Sequence, residues 1–242
     1  MLAVVAGVVL AVVRSTDRPA AVDQRRPGPV VVVPGYGGRV ATVAPLAAAL
    51  RREGRSVVVL QPADDGEGDL RAQARQLRDL VARTLRSSGA ASVDLVGYSA
   101  GGVVARLYVR DDGGADVVRR VLTVGSPHHG TDVAALAQEV AGGCPTACEQ
   151  LATGSDLLRR LDAGDETPAG PLWATVRSRA DQTVTPTDSA SLAGAVDVLV
   201  QDLCPGAATS HADLPGDPVT LAVVRSTLGV AAPRTPTQVR CG

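Results

Sequence analysis

The sequence contains no phenylalanine, isoleucine, lysine or asparagine, and aromatic residues make up only 2% of its 242 residues. A hydrophobic core must therefore be built from valine, leucine and alanine. Arginine supplies the permanent positive charge, and 24 basic residues stand against 25 acidic ones, so that the formal net charge is -1. A charge balance this close to zero argues against a polyanionic partner such as nucleic acid. The length suits one sizeable α/β domain.

The first 29 residues differ in composition from the rest of the chain. Residues 2–13 form an unbroken apolar run that ends at Arg14. Such a run is too short to span a bilayer as a straight helix, but its length is typical of the apolar part of an export signal. It could be an export signal that starts further upstream, the remainder of an N-terminal anchor, or a buried helix. Residues 15–29 are polar and rich in proline, which predicts a linker.

A buried strand, a tight turn and a helix are predicted around Ser99. The stretch 93–96, apolar except for Asp94, is followed by Gly-x-Ser-x-Gly at 97–101, and apolar residues then recur at helical spacing. The five-residue pattern alone would also suit an ordinary glycine-rich turn, so the flanking strand and helix carry the prediction. A serine at the apex of such a turn holds its hydroxyl clear of the backbone. The pattern therefore predicts that Ser99 is a nucleophile.

Apolar runs alternate with amphipathic segments along the chain from residue 30 onward. Besides the strand before Ser99, strands are predicted at 29–33, 56–60, 117–124, 172–176 and 196–200, and helices at 41–52, 69–87 and 219–228. This alternation predicts an α/β domain with a mostly parallel central sheet and helices on both faces. In such sheets, sites form at the carboxyl ends of the strands.

The chain has three histidines from which a general base for Ser99 could come, namely His128, His129 and His211. In enzymes with this strand–turn–helix the nucleophile is followed by the acid and then by the histidine. His211, in the late loop 209–213, satisfies that order, whereas His129 would reverse it. We therefore predict His211 as the base.

Two acidic residues are candidates for the group that orients His211. Asp181 follows the predicted strand 172–176 directly, where a carboxylate can reach a histidine in the loop of the next strand. Asp188 is the alternative. We predict Asp181 as the orienting acid.

The oxyanion of the reaction needs two hydrogen-bond donors. One is predicted to be the backbone amide of Ala100, directly after the nucleophile, and the other an amide of the glycine-rich loop after the first strand. Tyr36, between Gly35 and Gly37, is placed for this role. A loop of this kind can also bind phosphate, but the sixth-position glycine of the dinucleotide fingerprint is missing.

The four cysteines favour disulfides in an oxidising compartment, and three pairings are possible. Metal binding is disfavoured because no Cys-x-x-Cys occurs. We expect Cys144 to pair with Cys148, and Cys204 with Cys241. The second bond would tie the loop of His211 to a tail that would otherwise fray.

Together, the stretches 32–38, 94–102, 126–131, 173–184 and 210–211 resemble secreted lipases and esterases of the α/β-hydrolase superfamily, and in particular actinobacterial triacylglycerol lipases. The resemblance extends from about residue 30 to the end of the chain. It implies the α/β-hydrolase fold, a Ser99–Asp181–His211 triad, oxyanion amides at Tyr36 and Ala100, and no metal or other cofactor. It also implies that the turn at 128–129 borders the site without taking part in catalysis.

The resemblance further implies hydrolysis of acylglycerols or other acyl esters through an acyl-enzyme. An acyltransferase, a thioesterase or an amidase would use the same residues, and a catalytically silent fold that binds at a surface is an alternative of a different class. Residues 131–168 are expected to form a small cap over a partly open acyl groove. We expect a secreted monomer, or a protein held at the outer face of the membrane or on a lipid surface by its N-terminal apolar run.

Overall fold

A computed structural model describes residues 22–134 and 144–241 of the chain. The apolar run 2–13, the first part of the predicted linker and residues 135–143 of the predicted cap lie outside the described residues. Within those two ranges no helix combines the length and the apolar character needed to cross a bilayer.

The centre of the protein is a single sheet of six strands. In chain order these are β1 (Val30–Val33), β2 (Val57–Val59), β3 (Val93–Tyr98), β4 (Val118–Val124), β5 (Leu172–Arg177) and β6 (Val196–Leu199). Their order across the sheet is β2-β1-β3-β4-β5-β6, and each of the five neighbouring pairs is parallel. The predicted α/β class is confirmed, with a sheet that is parallel throughout rather than mostly so.

Helices cover both faces of this sheet. They are α1 (Ala44–Arg52), α2 (Leu70–Ser88), α3 (Ala100–Asp111), α4 (Thr146–Leu151), α5 (Asp156–Leu161), α6 (Val200–Leu203) and α7 (Pro218–Leu228). Side chains of successive strand residues point to opposite faces, so Val31 packs with α2 to α5 while Val30 packs with α1 and α7. Valine, leucine and alanine dominate both cores, as the missing phenylalanine and isoleucine require.

The last part of the predicted linker is held against the domain. Arg119, at the start of β4, donates from Nη1 to the carbonyl of Gln24 at 3.0 Å, and Arg55 donates from Nη2 to the carbonyl of Gly28 at 2.8 Å. The sequence predicts a linker here, and in the structure two of its backbone carbonyls accept hydrogen bonds from Arg119, which is fully buried, and Arg55, which is partly buried. Residues 24 and 28 of the predicted linker therefore contact the domain through their backbone carbonyls.

The described part of the cap contains two short helices and a cross-link. Thr131 forms an isolated bridge with Ala152, α4 and α5 follow, and Cys144 is bonded to Cys148 as expected. The other expected pair, Cys204 with Cys241, is also present. Val200, predicted as the end of a strand, instead begins α6, so that β6 stops at Leu199.

Candidate active site

Ser99 lies in the turn that joins β3 to α3 at the carboxyl edge of the sheet. Its backbone is in an uncommon region for a non-glycine residue, with φ 53° and ψ -128°. The next turn of chain passes close to β1, because a Cβ at Gly101 would lie 2.3 Å from the carbonyl oxygen of Val33. The strained serine and the close approach together explain why the pattern needs glycine beside the nucleophile.

Three side chains predicted from the sequence lie in a hydrogen-bonded row. Ser99 Oγ is 3.0 Å from His211 Nε2, and His211 Nδ1 is 2.7 Å from Asp181 Oδ2. The second carboxylate oxygen, Oδ1, accepts from the amides of Thr183 at 2.8 Å and Val184 at 2.9 Å. The carboxylate is 4% exposed, so its orientation is set by protein groups rather than by solvent.

Side-chain bonds also fix the loop that delivers His211. Ser178, just beyond β5, donates from Oγ to the carbonyl of Thr209 at 2.6 Å. Thr209 in turn donates from Oγ1 to Asp217 Oδ2 at 2.7 Å, and Asp217 caps α7. The histidine loop is therefore held both to the strand that precedes Asp181 and to the last helix.

Asp188, the alternative acid, binds Arg177 and not His211. Asp188 accepts from Arg177 Nη1 at 2.6 Å, and its side chain is 83% exposed. The same arginine binds Asp197 Oδ2 at 2.9 Å. The structure thus brings Asp181, and not Asp188, to the imidazole of His211.

The other two histidines are engaged in separate contacts. His128 is fully buried, and its Nε2 lies 2.9 Å from Thr123 Oγ1. Burial, aided by the positive charge of Arg106, lowers the pKa of His128 well below its usual value, so the ring is neutral at physiological pH. His129 Nε2 lies 2.8 Å from Glu166 Oε1. Neither histidine is hydrogen-bonded to Ser99 or Asp181 among the described residues, and the expectation that this turn borders the site stays a prediction.

One group of side chains has the donor types of a metal site. Ligand atoms of His129, Asp162 and Glu166 lie within 4.8 Å of one another. Asp162, however, already binds Arg106 Nη1 at 2.7 Å, and the side chain of Arg106 is 1% exposed. A buried permanent cation beside these carboxylates opposes the entry of a metal ion, so we interpret the group as an ion-pair network between α3 and the cap.

Both predicted oxyanion loops border the nucleophile. Ala100 is the first residue of α3, where the N–H has no acceptor within the helix. A Cβ at Gly35 would lie 2.9 Å from the Cβ of Ser99, which brings the glycine-rich loop and Tyr36 beside the reacting centre. The role of these two amides as oxyanion donors remains a prediction.

Two contacts to the imidazole were not predicted from the sequence. The ring of Tyr98 lies 5.1 Å from that of His211, centroid to centroid, and Gly125 approaches the imidazole from another element. Both residues adjoin motifs already singled out, since Tyr98 lies inside Gly-x-Ser-x-Gly and Gly125 directly follows β4. His211 is distant in sequence from both Tyr98 and Gly125. These contacts form only in the folded protein and could not be predicted from a local sequence pattern.

A mostly apolar cavity of about 180 Å³ opens beside Ser99. Tyr36 lies at its mouth with 41% of its surface exposed, while Leu151 and Val184 are buried in its wall. An apolar cavity next to a nucleophile suits the hydrocarbon part of an acyl group. The expectation of an acyl groove beside the cap accords with this geometry.

One model of a known protein family matches a large part of this chain. The family model described as palmitoyl protein thioesterase matches residues 29–161, which is more than half of the chain and includes Ser99 and the oxyanion loops. The chain belongs to the palmitoyl protein thioesterase family. Asp181 and His211 lie beyond the matched range, and their assignment depends on the geometry described above.

Solved structures with the same fold include lipases. Lipase B of Aspergillus fumigatus aligns with a TM-score of 0.75 at 20% identity, over 86% of this chain and 54% of that one. The propeptide form of the Bacillus licheniformis lipase BlEst2 gives 0.71 at 21%, over 87% and 52%. The product of lin2722 from Listeria innocua gives 0.61 at 13%, over 87% and 97%. The chain spans about half the length of the first two.

These likenesses confirm the predicted α/β-hydrolase fold. The expected relation to lipases and esterases is confirmed at the level of family and fold. The narrower resemblance to actinobacterial triacylglycerol lipases stays a prediction.

Proposed function

We propose that this protein is a serine hydrolase that cleaves acyl esters through a covalent acyl-enzyme. The observation that carries the proposal is the row Ser99–His211–Asp181, with distances of 3.0 Å and 2.7 Å, beside an apolar cavity. Membership of the thioesterase family and the fold shared with lipases support the same class of reaction.

In the first half of the reaction Ser99 Oγ attacks the ester carbonyl carbon, and its proton passes to His211 Nε2. Asp181 stabilises the imidazolium that forms. Because two backbone amides hold this carboxylate, it is oriented before the charge develops. The carbonyl oxygen, now an oxyanion, accepts from the amides of Ala100 and Tyr36. As the carbon–oxygen bond of the ester breaks, the leaving alcohol takes the proton from Nε2, and the acyl group remains on Oγ.

In the second half water takes the place of the alcohol. His211 Nε2 removes a proton from the water as its oxygen attacks the acyl carbon, and the same amides hold the second oxyanion. Collapse of this intermediate breaks the bond to Ser99 Oγ, which recovers the proton from Nε2. The products are the free acid and the unchanged enzyme.

A thioester is the second candidate substrate, favoured by the family match at residues 29–161. The chemistry differs only in the leaving atom, since a thiolate departs more easily than an alkoxide and needs less help from His211. A matched pair of substrates with the same acyl group, one an oxygen ester and one a thioester, separates the two. A wild-type kcat/KM that is higher on the oxygen ester supports the first candidate, and one that is higher on the thioester supports the second.

We also propose that the protein works in an oxidising compartment, outside the cell or on its outer surface. The two disulfides support this location, because reduced cytosol rarely preserves structural cross-links. Mass mapping of the unreduced protein recovered from culture medium, membranes and cytosol tests it. Free thiols in protein recovered from its native compartment would contradict the proposal.

The direct test of the reaction class combines turnover with active-site labelling. The full chain should hydrolyse p-nitrophenyl butyrate and react with a fluorophosphonate at Ser99, as located by peptide mass. Ser99→Ala should abolish both, while His211→Ala should slow both. A folded protein that binds esters without turnover or labelling would instead be a silent binding protein.

A further inference from the structure

The side chain of Tyr98 contacts His211 at two points. Tyr98 is the last residue of β3, directly before Ser99. Its ring packs against the imidazole of His211, with the two ring centroids 5.1 Å apart and the ring planes tilted by 32°. Its hydroxyl donates to the backbone carbonyl of His211 at 3.1 Å. One side chain therefore contacts both the ring and the backbone of the proposed base.

The surroundings of Tyr98 keep its hydroxyl in the donor form. The residue is 6% exposed and belongs to the core on the sheet face covered by α1 and α7. Burial, together with the charge of Asp181, raises the pKa of Tyr98 to about 12. The hydroxyl consequently stays protonated at any pH at which a histidine can act as a base.

The bond from Tyr98 adds to a hydrogen bond that the loop of His211 makes within itself. The amide of Leu214 also donates to the carbonyl of His211, at 3.3 Å. Without the tyrosine hydroxyl this carbonyl still has a partner, so the loop should remain folded. What the loop would lose is its link to β3, the strand that carries Ser99.

A second strand end approaches the imidazole closely. Gly125 directly follows β4, and a Cβ there would lie 3.3 Å from both Cε1 and Nδ1 of His211 and 2.7 Å from Leu214 Cδ1. Its φ of +55° also disfavours a side chain. The imidazole therefore packs against the ends of two neighbouring strands, and no space for a methyl group remains beside it at Gly125.

On the basis of the proposed function, we infer that Tyr98 is a positioning residue that holds the imidazole of His211 against Ser99. Transfer of the proton from Ser99 Oγ to His211 Nε2, 3.0 Å apart, depends steeply on the alignment of the two atoms. The two residues are 112 positions apart in the chain, and a support that belongs to the strand of the nucleophile preserves their alignment. Tyr98 does not line the cavity beside Ser99, so its effect on the reaction passes through His211.

The first test removes the hydroxyl and keeps the ring. Tyr98→Phe should lower kcat on p-nitrophenyl butyrate about tenfold, the effect of one hydrogen bond, with little change in KM. Tyr108→Phe is the matched control, because Tyr108 is also buried and its pKa is likewise raised to about 12 by burial, but it packs on the opposite face of the sheet. Equal losses of kcat in the two variants, no loss in Tyr98→Phe, or a loss confined to KM would overturn the inference.

The second test fills the space beside the imidazole. Gly125→Ala should lower kcat by about a hundredfold, because the added methyl group displaces the ring from Ser99. Gly89→Ala is the matched control, since Gly89 caps the end of α2 with φ +67° and a Cβ there would meet nothing within 4 Å. Both variants place a side chain at positive φ and should lose comparable thermal stability. The same kcat in the two variants would contradict the view that the imidazole is confined.

An NMR signal reports the position of the imidazole without turnover. The proton between His211 Nδ1 and Asp181 Oδ2, which are 2.7 Å apart, should give a downfield resonance while the ring is held in place. We expect Tyr98→Phe to broaden this resonance through faster exchange with water, and Tyr108→Phe to leave it as in wild type. The same signal in all three proteins would contradict the positioning role. Absence of ester turnover by the wild type would overturn the proposed function, and the NMR comparison would still decide whether Tyr98 holds the histidine.

Discussion

Two buried aspartates lie near opposite edges of the sheet and have different kinds of partner. Asp94, near the start of β3, is fully buried and binds Arg119 at 2.9 and 2.7 Å and Arg55 at 2.6 Å. Asp181, beyond the carboxyl end of β5, is almost as buried and binds His211 at 2.7 Å. The first carboxylate has permanent cations as partners, and the second has a group that gains and loses a proton.

This difference between the partners of Asp94 and Asp181 explains which edge of the sheet can take part in proton transfer. The arginines around Asp94 also donate to backbone carbonyls, including those of Leu228 and Gly229 at the C-terminal end of α7, so their charge is held in place by the chain itself. An arginine guanidinium keeps its proton and cannot accept another at neutral pH. At the other edge a neutral imidazole can accept one, and the adjacent carboxylate stabilises the cation that results.

The comparison is tested most strongly by removing Ser99, the proposed nucleophile. Ser99→Ala should lower kcat by about four to six orders of magnitude, and combining it with His211→Ala should add little, because the row acts as a unit. Thermal stability should change little. Ser126→Ala is the matched control, since its hydroxyl is buried with no hydrogen-bond partner among the described residues and its removal should leave kcat near wild type. Additive losses in the double variant would argue against a shared mechanism.

Neutralising the acid should have the next largest effect. Asp181→Asn should lower kcat by about three to four orders of magnitude, because the imidazole loses its orienting anion while the packing is nearly unchanged. Asp188→Asn should be close to wild type, since that side chain is exposed and bound only to Arg177. The opposite result would mean that the late loop rearranges on substrate binding and that Asp188 is the acid.

The same substitution at the other edge should affect stability and leave catalysis intact. Asp94→Asn should lower the free energy of unfolding by about 3–5 kcal/mol, because the fully buried Arg119 and the partly buried Arg55 lose their anion. Where the variant is folded, kcat should match wild type. Glu53→Gln, which breaks the exposed pair with Arg225 at 3.3 Å, should cost about 1 kcal/mol or less. Urea unfolding and kcat measured on the same samples check both statements, and a fall in kcat parallel to stability would contradict the division between the two edges.

The sequence was sufficient to predict which candidate site residues follow the strands of the sheet. Ser99, Asp181 and His211 each follow a recognisable apolar run, and the carboxyl ends of parallel strands meet at one edge of the sheet. The order of residues in the chain then selected His211 over His129. These predictions needed only local patterns together with a rule about topology.

Contacts between segments distant in sequence could not be predicted in this way. Asp94 interrupts an apolar strand, and no local pattern shows that its partners are Arg55 and Arg119. The same limit explains why residues 22–29, which bind those arginines through backbone carbonyls, were interpreted as a linker. Tyr98 was missed as a neighbour of His211 because 113 residues separate the two in the chain.

The two disulfides also differ from each other, in the length of the loop that each closes and in whether they line the cavity beside Ser99. Cys204–Cys241 spans 37 residues and joins the end of α6 to the C-terminal tail, whereas Cys144–Cys148 spans 4 and contributes Cys148 to the wall of the cavity. The chain-entropy model assigns about 4 kcal/mol to the longer loop and about 2 kcal/mol to the shorter one. The cross-link expected to contribute more to stability is thus the one that does not line the cavity beside Ser99.

Replacing each pair with serines should therefore separate stability from specificity. The variant without Cys204–Cys241 should unfold at the lower temperature and lose activity first on heating, because the loop of His211 is then held only by bonds such as Ser178 to Thr209. The variant without Cys144–Cys148 should unfold nearer to wild type but accept a broader range of acyl lengths, since one wall of the cavity is released. Two measurements on both variants, made without reductant, test these expectations. They are the rate of thermal inactivation and kcat/KM on p-nitrophenyl esters of increasing acyl length. If the loss of Cys144–Cys148 lowered stability more than the loss of Cys204–Cys241, the described part of the predicted cap would belong to the folding core and would not be only a wall of the cavity.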